Sequence, residues 1–318
     1  MLAPGAPVIT EQPTNQTVLA GDTASFTAAA SGTPTPSVQW QDSSNGTSWA
    51  NAPGASTLPT YSFPASSTES GYEYEAVFTN TGGSNTTNPA TLTVTNTESS
   101  NWSGYVDTGS TGAFTSVYGD WTVPTLTCNS GKNAYASAWI GIDGDGSSTV
   151  EQDGIEADCS QSNVASYYAW YEMFGDNAVD GGDEVELNPD PGYYPVSPGD
   201  QMSASVSVAG NEWTLAISDL TKGWNYKTSP AITFSAAQES AEWIVERPEV
   251  GSDKTVPLAD FGSVTFTNAT VNGTSDPISE FTPLSIGMVG NGSTFLAAPG
   301  PLSASGENFT DNWEALGP

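Results

Sequence analysis

No part of this 318-residue chain sustains apolar residues at helical spacing. Its apolar residues fall instead in short alternating runs, set apart by turn formers; 33 Gly and 22 Pro supply much of that punctuation. Alternation of period two sends successive side chains to opposite faces of a strand, and frequent turn residues leave no room for a helix of useful length. The class that follows is all-β. A chain of this length can bury a full core and is expected to hold two domains. The run Ala241-Glu242-Trp243-Ile244-Val245-Glu246 shows the pattern most sharply. As a strand it carries Glu242, Ile244 and Glu246 on one face and Trp243 and Val245 on the other. A carboxylate beside so much apolar surface is costly unless it is paired or has a task.

Charge narrows the partners. Five Lys and Arg stand against 36 Asp and Glu, a net charge of −31 at pH 7. Nucleic acid is excluded as a natural partner, because phosphate contacts need clustered cations, and an anionic membrane surface is disfavoured for the same reason. Such a charge repels itself at neutral pH and fades in acid as the carboxylates protonate. The composition therefore suits an acidic medium. The chain has no histidine, which removes histidine-dependent triads and most transition-metal sites; no metal or cofactor is expected. Acid–base chemistry must rest on Asp, Glu, Tyr or Lys. Two cysteines, Cys128 and Cys159, are too few for a Cys-rich zinc site. A disulfide in an exported protein is their simplest use. No apolar run approaches the roughly 18 residues of a membrane span. Met1-Leu2-Ala3-Pro4 is not a secretory signal, so an exported form is expected to have had its leader trimmed. Sequons at Asn15, Asn85, Asn268 and Asn308 permit glycosylation.

Residues 1–96 contain no Lys or Arg, unlike the remainder. Short alternating runs at 24–28, 37–40, 72–78 and 90–94 read as the strands of a sandwich. The stretch resembles an immunoglobulin-like domain of the bacterial or archaeal surface type. In that resemblance Trp40 takes the place of the buried strand-C tryptophan, Tyr74 that of the tyrosine corner, and Ala28 and Ala76 those of the usual cysteine pair. This accessory domain is expected to act as a spacer or to dock on a cell surface or polymer, with Trp49 and Tyr61 either binding a sugar or serving as core and rim. Residues 97–100 read as a polar linker and 101–318 as the second domain.

In the second domain, strands are expected at 102–106, 116–123, 135–142, 149–152, 167–174, 202–208, 213–219, 241–246, 263–266, 285–289 and 308–313, making two antiparallel sheets packed face to face. Residues 175–193, rich in Asp, Gly and Pro, are expected to form a mobile acidic loop. Six blocks carry a family resemblance: Asn101-Trp102-Ser103-Gly104-Tyr105-Val106, Trp121-Thr122-Val123-Pro124, Ala138-Trp139-Ile140-Gly141-Ile142-Asp143-Gly144, Val150-Glu151-Gln152-Asp153-Gly154, Ala169-Trp170-Tyr171-Glu172 and the run ending at Glu246. In this order and approximate spacing they resemble the glutamic peptidases, or eqolisins, over about two-thirds of the chain. The resemblance implies a concanavalin-like (lectin-like) β-sandwich and an acid endopeptidase that needs no metal; a secreted monomer acting on proteins and peptides is expected. The resemblance also implies a catalytic pair, Gln152 and Glu246, and a cleft lined by Trp139, Asp143, Trp170, Tyr171 and Glu172. Glu156 stands where fungal members usually carry aspartate, Tyr168 replaces another aspartate, and Arg247 follows Glu246 where an acidic residue is common.

The chemistry is coherent with those residue types. Peptide hydrolysis needs a base for water, an acid for the leaving nitrogen and a donor for the tetrahedral oxyanion. Glu246 can be base and then acid. Gln152 does not titrate, so its amide donates at any pH, whereas a second carboxylate would become an acceptor on ionising. Trp139, Trp170 and Tyr171 would wall the cleft or belong to the core. Alternation puts Tyr168, Trp170 and Glu172 on one face. Glu172 would orient the pair, bind substrate or make a plain salt bridge, and Asp143 would line the cleft or only shape its turn. Two rival motifs are weaker. Asp107-Thr108-Gly109 has the form of an aspartic-protease signature, but it occurs once and that machinery needs two facing aspartates. Asp143-Gly144-Asp145-Gly146-Ser147 hints at a calcium loop but has Ser148 and Gly154 where an EF-hand has Gly and Glu. A pepstatin-type inhibitor is therefore expected to have no effect. The alternative to a peptidase is a carbohydrate-binding module or a glycosidase, which would want a carboxylate opposite Glu246.

Overall fold

The computed structural model describes the chain except for residues 1–4, 20–22, 55, 66–68, 96, 176–183, 188–192, 232–234, 249–255, 274–275, 282, 291–293 and 318. Regular structure in the described residues is almost wholly β-strand, and none of their helices is long and apolar enough to cross a membrane. The chain divides into two compact units, Met1–Asn96 and Thr97–Pro318.

In the smaller unit Glu73–Asn80 is the centre of a sheet, pairing with Ser37–Ser43 on one side and Ala90–Thr95 on the other. Thr23–Thr27 pairs with Thr60–Pro64 in a second sheet. The strict alternation of these strands buries one face of each around Phe26, Trp40, Tyr74 and Leu92. Tyr61 belongs to that core, 3% exposed and packed against Trp40 and Tyr74. It is therefore not available as a sugar platform, because the opposite sheet covers the face on which it lies.

The larger unit is a sandwich. Of its sixteen strands, fourteen follow one hydrogen-bonded path that runs through one layer and returns through the other, and two pair off that path. Ser240–Glu246 is central, flanked by Ala134–Ile142 and Trp102–Thr108. Outward from Ala134–Ile142 come Val150–Cys159, Ala165–Phe174 and Val185–Glu186. The second layer contains Ser263–Val271, Ser116–Thr122, Gln201–Ala209 and Glu212–Asp219. Trp121, Ile140, Trp213, Trp243, Val245 and Phe266 fill the space between the layers. Burying apolar surface at about 25 cal/mol per Å² makes this interlayer core the main source of stability.

Three expectations change. Residues 97–100 are not a free linker: Thr97–Ser99 is a strand of the larger unit, paired in parallel with Leu284–Val289. The strand expected at 149–152 runs from Val150 on to Cys159, through Gly154. Within 175–193 most positions lie outside the described residues, but Val185–Glu186 pairs with Trp170 and Tyr171. Cys128 and Cys159 are joined in a disulfide, their Cα atoms 5.4 Å apart.

Candidate active site

Register decides which side chains meet. Across adjacent strands Glu246 aligns with Ser137, Ser137 with Glu156, and Glu156 with Tyr168. One row along, Ile244 aligns with Trp139, Trp139 with Gly154, and Gly154 with Trp170. In the next row Glu242, Gly141, Gln152 and Glu172 align. Paired residues share a face, so all three rows lie on the side of the sheet turned away from the interlayer core. The middle row is apolar: Trp139, Trp170 and Ile244 form a small cluster with Val106 and Ile286. Trp102 meets Trp139 edge to face at 5.1 Å.

Two glycines let the Trp139 indole lie across the sheet. A Cβ at Gly154 would sit 2.5 Å from Trp139 Cβ and 2.6 Å from the Ala138 carbonyl oxygen. One at Gly141 would sit 3.0 Å from the Trp139 ring. Gly154 is thus a place where two structures approach closely within a strand, not a turn.

A cavity of about 880 Å³ opens on this face, and both Gln152 and Glu246 line it. Each oxygen of Glu246 has a donor: Asn101 Nδ2 reaches Oε1 at 3.0 Å, and Trp139 Nε1 reaches Oε2 at 2.8 Å. Both bonds favour the ionised carboxylate. Gln152 Nε2 donates to Glu172 Oε2. One N–H of the amide is thereby used and its orientation set, which leaves a second N–H for a substrate oxygen. The indole N–H of Trp170, buried at the same cavity, has no acceptor among the described residues.

Beyond Glu246 the lining turns acidic. Burial, with Asp158, Glu184 and Glu246 nearby, pushes the Glu156 carboxyl well above the usual range. Burial pushes Asp158, beside it, up to about 6. The Tyr168 hydroxyl donates to Glu184. Glu156 and Tyr168 therefore form one end of the site, and Gln152 and Glu172 the other.

Two candidates lie elsewhere. Tyr171 is on the opposite face of its strand from Trp170; it packs on the interlayer core and stacks on Tyr226 at 5.8 Å. Asp143 is fully buried with φ 67°, and its carboxylate accepts the backbone N–H of Gln238 and of Glu239. It shapes its turn and is occupied there, which also removes it as a ligand of the suspected calcium loop. Asp107 faces the core, fully buried, and burial pushes it up to about 8. Sequence reasoning assigned no role to Asn101, Trp102, Ser137 or Glu184, all of which line the cavity. Asn101 and Trp102 lay within a family block; nothing local marked Ser137 or Glu184.

Comparison with known proteins settles the affiliation. Residues 100–294 match the model described as the Peptidase A4 family. The chain belongs to this family. Residues 7–94 match the immunoglobulin I-set domain. Aspergillopepsin-2 of Aspergillus niger is 35% identical over 193 residues, 54% of this chain and 64% of that protein, so the match spans less than two-thirds of the relative. Endoglucanase C of Cellulomonas fimi is 46% identical over 89 residues, 28% of this chain and 8% of that protein. A crystal structure of scytalido-glutamic peptidase with a transition-state analogue inhibitor shares the fold of the larger unit. Its TM-score is 0.55 at 24% identity, covering 68% of this chain and 98% of that one.

Proposed function

We propose that this Peptidase A4 family member is a glutamic endopeptidase, secreted as a monomer into an acidic medium and acting on proteins and peptides without metal or cofactor. The observation that carries the reading is that Glu246, with a donor on each oxygen, and Gln152, with its amide oriented by Glu172, line one cavity. Ionised Glu246 takes a proton from water as the water oxygen bonds to the scissile carbonyl carbon. The carbonyl π pair moves onto oxygen, where the second N–H of Gln152 meets it. Glu246 then returns the proton to the amide nitrogen, the C–N bond breaks and the carbonyl re-forms. Loss of one such oxyanion donor typically costs a hundred- to a thousand-fold in rate. Trp102 and Trp170 give the cleft apolar walls that favour an extended peptide, while Trp139, fully buried beneath, reaches the site only through its N–H to Glu246. For the smaller unit the reading is a spacer or docking module, and its likeness to a segment of an endoglucanase is in keeping with an accessory role.

The test is protein digestion at acidic pH in the presence of a pepstatin-type inhibitor. The wild type cuts; Glu246→Gln and Gln152→Ala do not; Asp107→Asn still does. Cutting abolished by Asp107→Asn alone would favour an aspartic mechanism, and glycan turnover without peptide cleavage would favour the glycosidase.

A further inference from the structure

We infer that Asn101 is a positioning residue for the Glu246 carboxylate, and that the segment opening the larger unit is built to hold it there. The inference rests on Glu246 being the base, as proposed above. Asn101 Nδ2 donates to Glu246 Oε1 at 3.0 Å. An amide can be flipped, so its orientation needs a cause, and the structure supplies one. Ser99 Oγ accepts the backbone N–H of Asn101 at 3.3 Å and of Trp102 at 3.1 Å, which leaves its own proton to donate to Asn101 Oδ1 at 3.3 Å, so the amide oxygen faces Ser99 and the NH2 group faces the carboxylate.

The backbone is held independently. Thr97–Ser99 pairs with Ile286–Met288. The backbone N–H of Arg247 donates to the carbonyl of Asn101 at 2.8 Å, and the Arg247 guanidinium donates to the carbonyl of Ser100 at 2.5 Å. Arg247 is 4% exposed. The residue after Glu246 is therefore not a stray cation on the catalytic strand. It fastens the Ser100–Asn101 backbone to the strand that carries the carboxylate.

The chemical consequence concerns the charge state of Glu246. Among the described residues the titratable groups on Glu246's side of the cavity include Glu156, on Val150–Cys159, and Glu184, just before Val185–Glu186; burial holds both above the usual carboxylate range, so in acid they stay neutral and offer the Glu246 anion no stabilising charge. Asn101 and Trp139 supply that stabilisation instead, since a donor to a carboxylate favours its anion. Asn101 is uncharged and donates at every pH, so it keeps Glu246 available as a base in acid without adding a titration of its own.

The experiment is the pH profile of kcat/KM for hydrolysis of a peptide by the full chain. Asn101→Ala should move the acid limb up by about one pH unit, read as roughly a tenfold loss on the low-pH side and little change near the optimum. Ser99→Ala should move it in the same direction by less. Asn101→Asp, close in size, should move it at least as far, because an ionised Asp opposes a second carboxylate. Thermal melts establish folding, and if Asn101→Ala does not fold, Asn101→Asp decides. An unshifted acid limb in a folded Asn101 variant, with Glu246→Gln inactive, overturns this inference alone. Full activity in Glu246→Gln overturns the proposed function and this inference with it.

Discussion

Asp107 offers the most demanding check on how this fold meets pH. Its carboxylate is fully buried in the core-facing side of Trp102–Thr108, and neither oxygen has a hydrogen-bond partner among the described residues. Burial pushes its pKa from 3.8 to about 8. Below about pH 4 the group is protonated in both folded and unfolded chains, and its contribution to stability is fully present. As pH rises the unfolded chain loses this proton while the folded chain keeps it, so stability falls steadily until about pH 8, where the folded group also ionises. At pH 7 the loss is on the order of 4 kcal/mol, taking about 1.4 kcal/mol for each pH unit between the two values. Asp311, pushed by burial to about 8, and Glu151, pushed by burial to about 9, act with the same sign. Against a total stability of roughly 5–15 kcal/mol, three such groups are enough to make the larger unit fragile at neutral pH. Asp107→Asn removes the titration at this position while keeping the size. Thermal melts of the wild type and the variant at pH 3, 5 and 7 provide the assay. At roughly 2–4 °C per kcal/mol for a unit of this size, the variant should gain on the order of 10 °C relative to wild type between pH 3 and pH 7. The change in the difference is the quantity to read, because a buried amide carries a pH-independent cost of its own. A difference that stays constant from pH 3 to 7, or a wild type whose melting point does not fall over that range, would refute the argument.

Two further outcomes follow from the site. Gly154→Ala should destabilise the larger unit by about 2 kcal/mol or more and disturb tryptophan fluorescence, because the new methyl meets the Trp139 side chain and the Ala138 carbonyl; an unchanged melt would show that the indole can move aside. Glu172→Leu should lower kcat by about tenfold or more with a smaller effect on KM, since Gln152 loses the acceptor that sets its amide; steady-state kinetics on a peptide substrate measure both. A change confined to KM would make Glu172 a substrate contact instead.

Much of this protein is local in origin. Alternation in Ser240–Glu246 separates Trp243 and Val245 from Ile244 and Glu246, and the structure puts the first pair in the interlayer core and Ile244 in the cluster on the outer face. The same rule placed Tyr168, Trp170 and Glu172 together. It applied equally to Tyr171, which follows Trp170 directly and must point the other way. Grouping Tyr171 with Trp170 at the cleft followed the family block and overrode the alternation; its packing against Tyr226 shows what the alternation already required.

Readable in the chain alone are thus the class of fold and, strand by strand, which side chains share a face. Each of these is set by side-chain periodicity or by composition over a few neighbours. The tertiary structure alone decided which faces meet water, which strands are adjacent and in what register. Those choices bring Gln152 and Glu246 to one cavity from distant segments, seat Asn101 against Glu246 and seal Asp107 beneath a second sheet. The physical reason is that a strand's own residues specify its two faces, whereas hydrogen bonds to its neighbours specify its place, and those neighbours can lie anywhere along the chain.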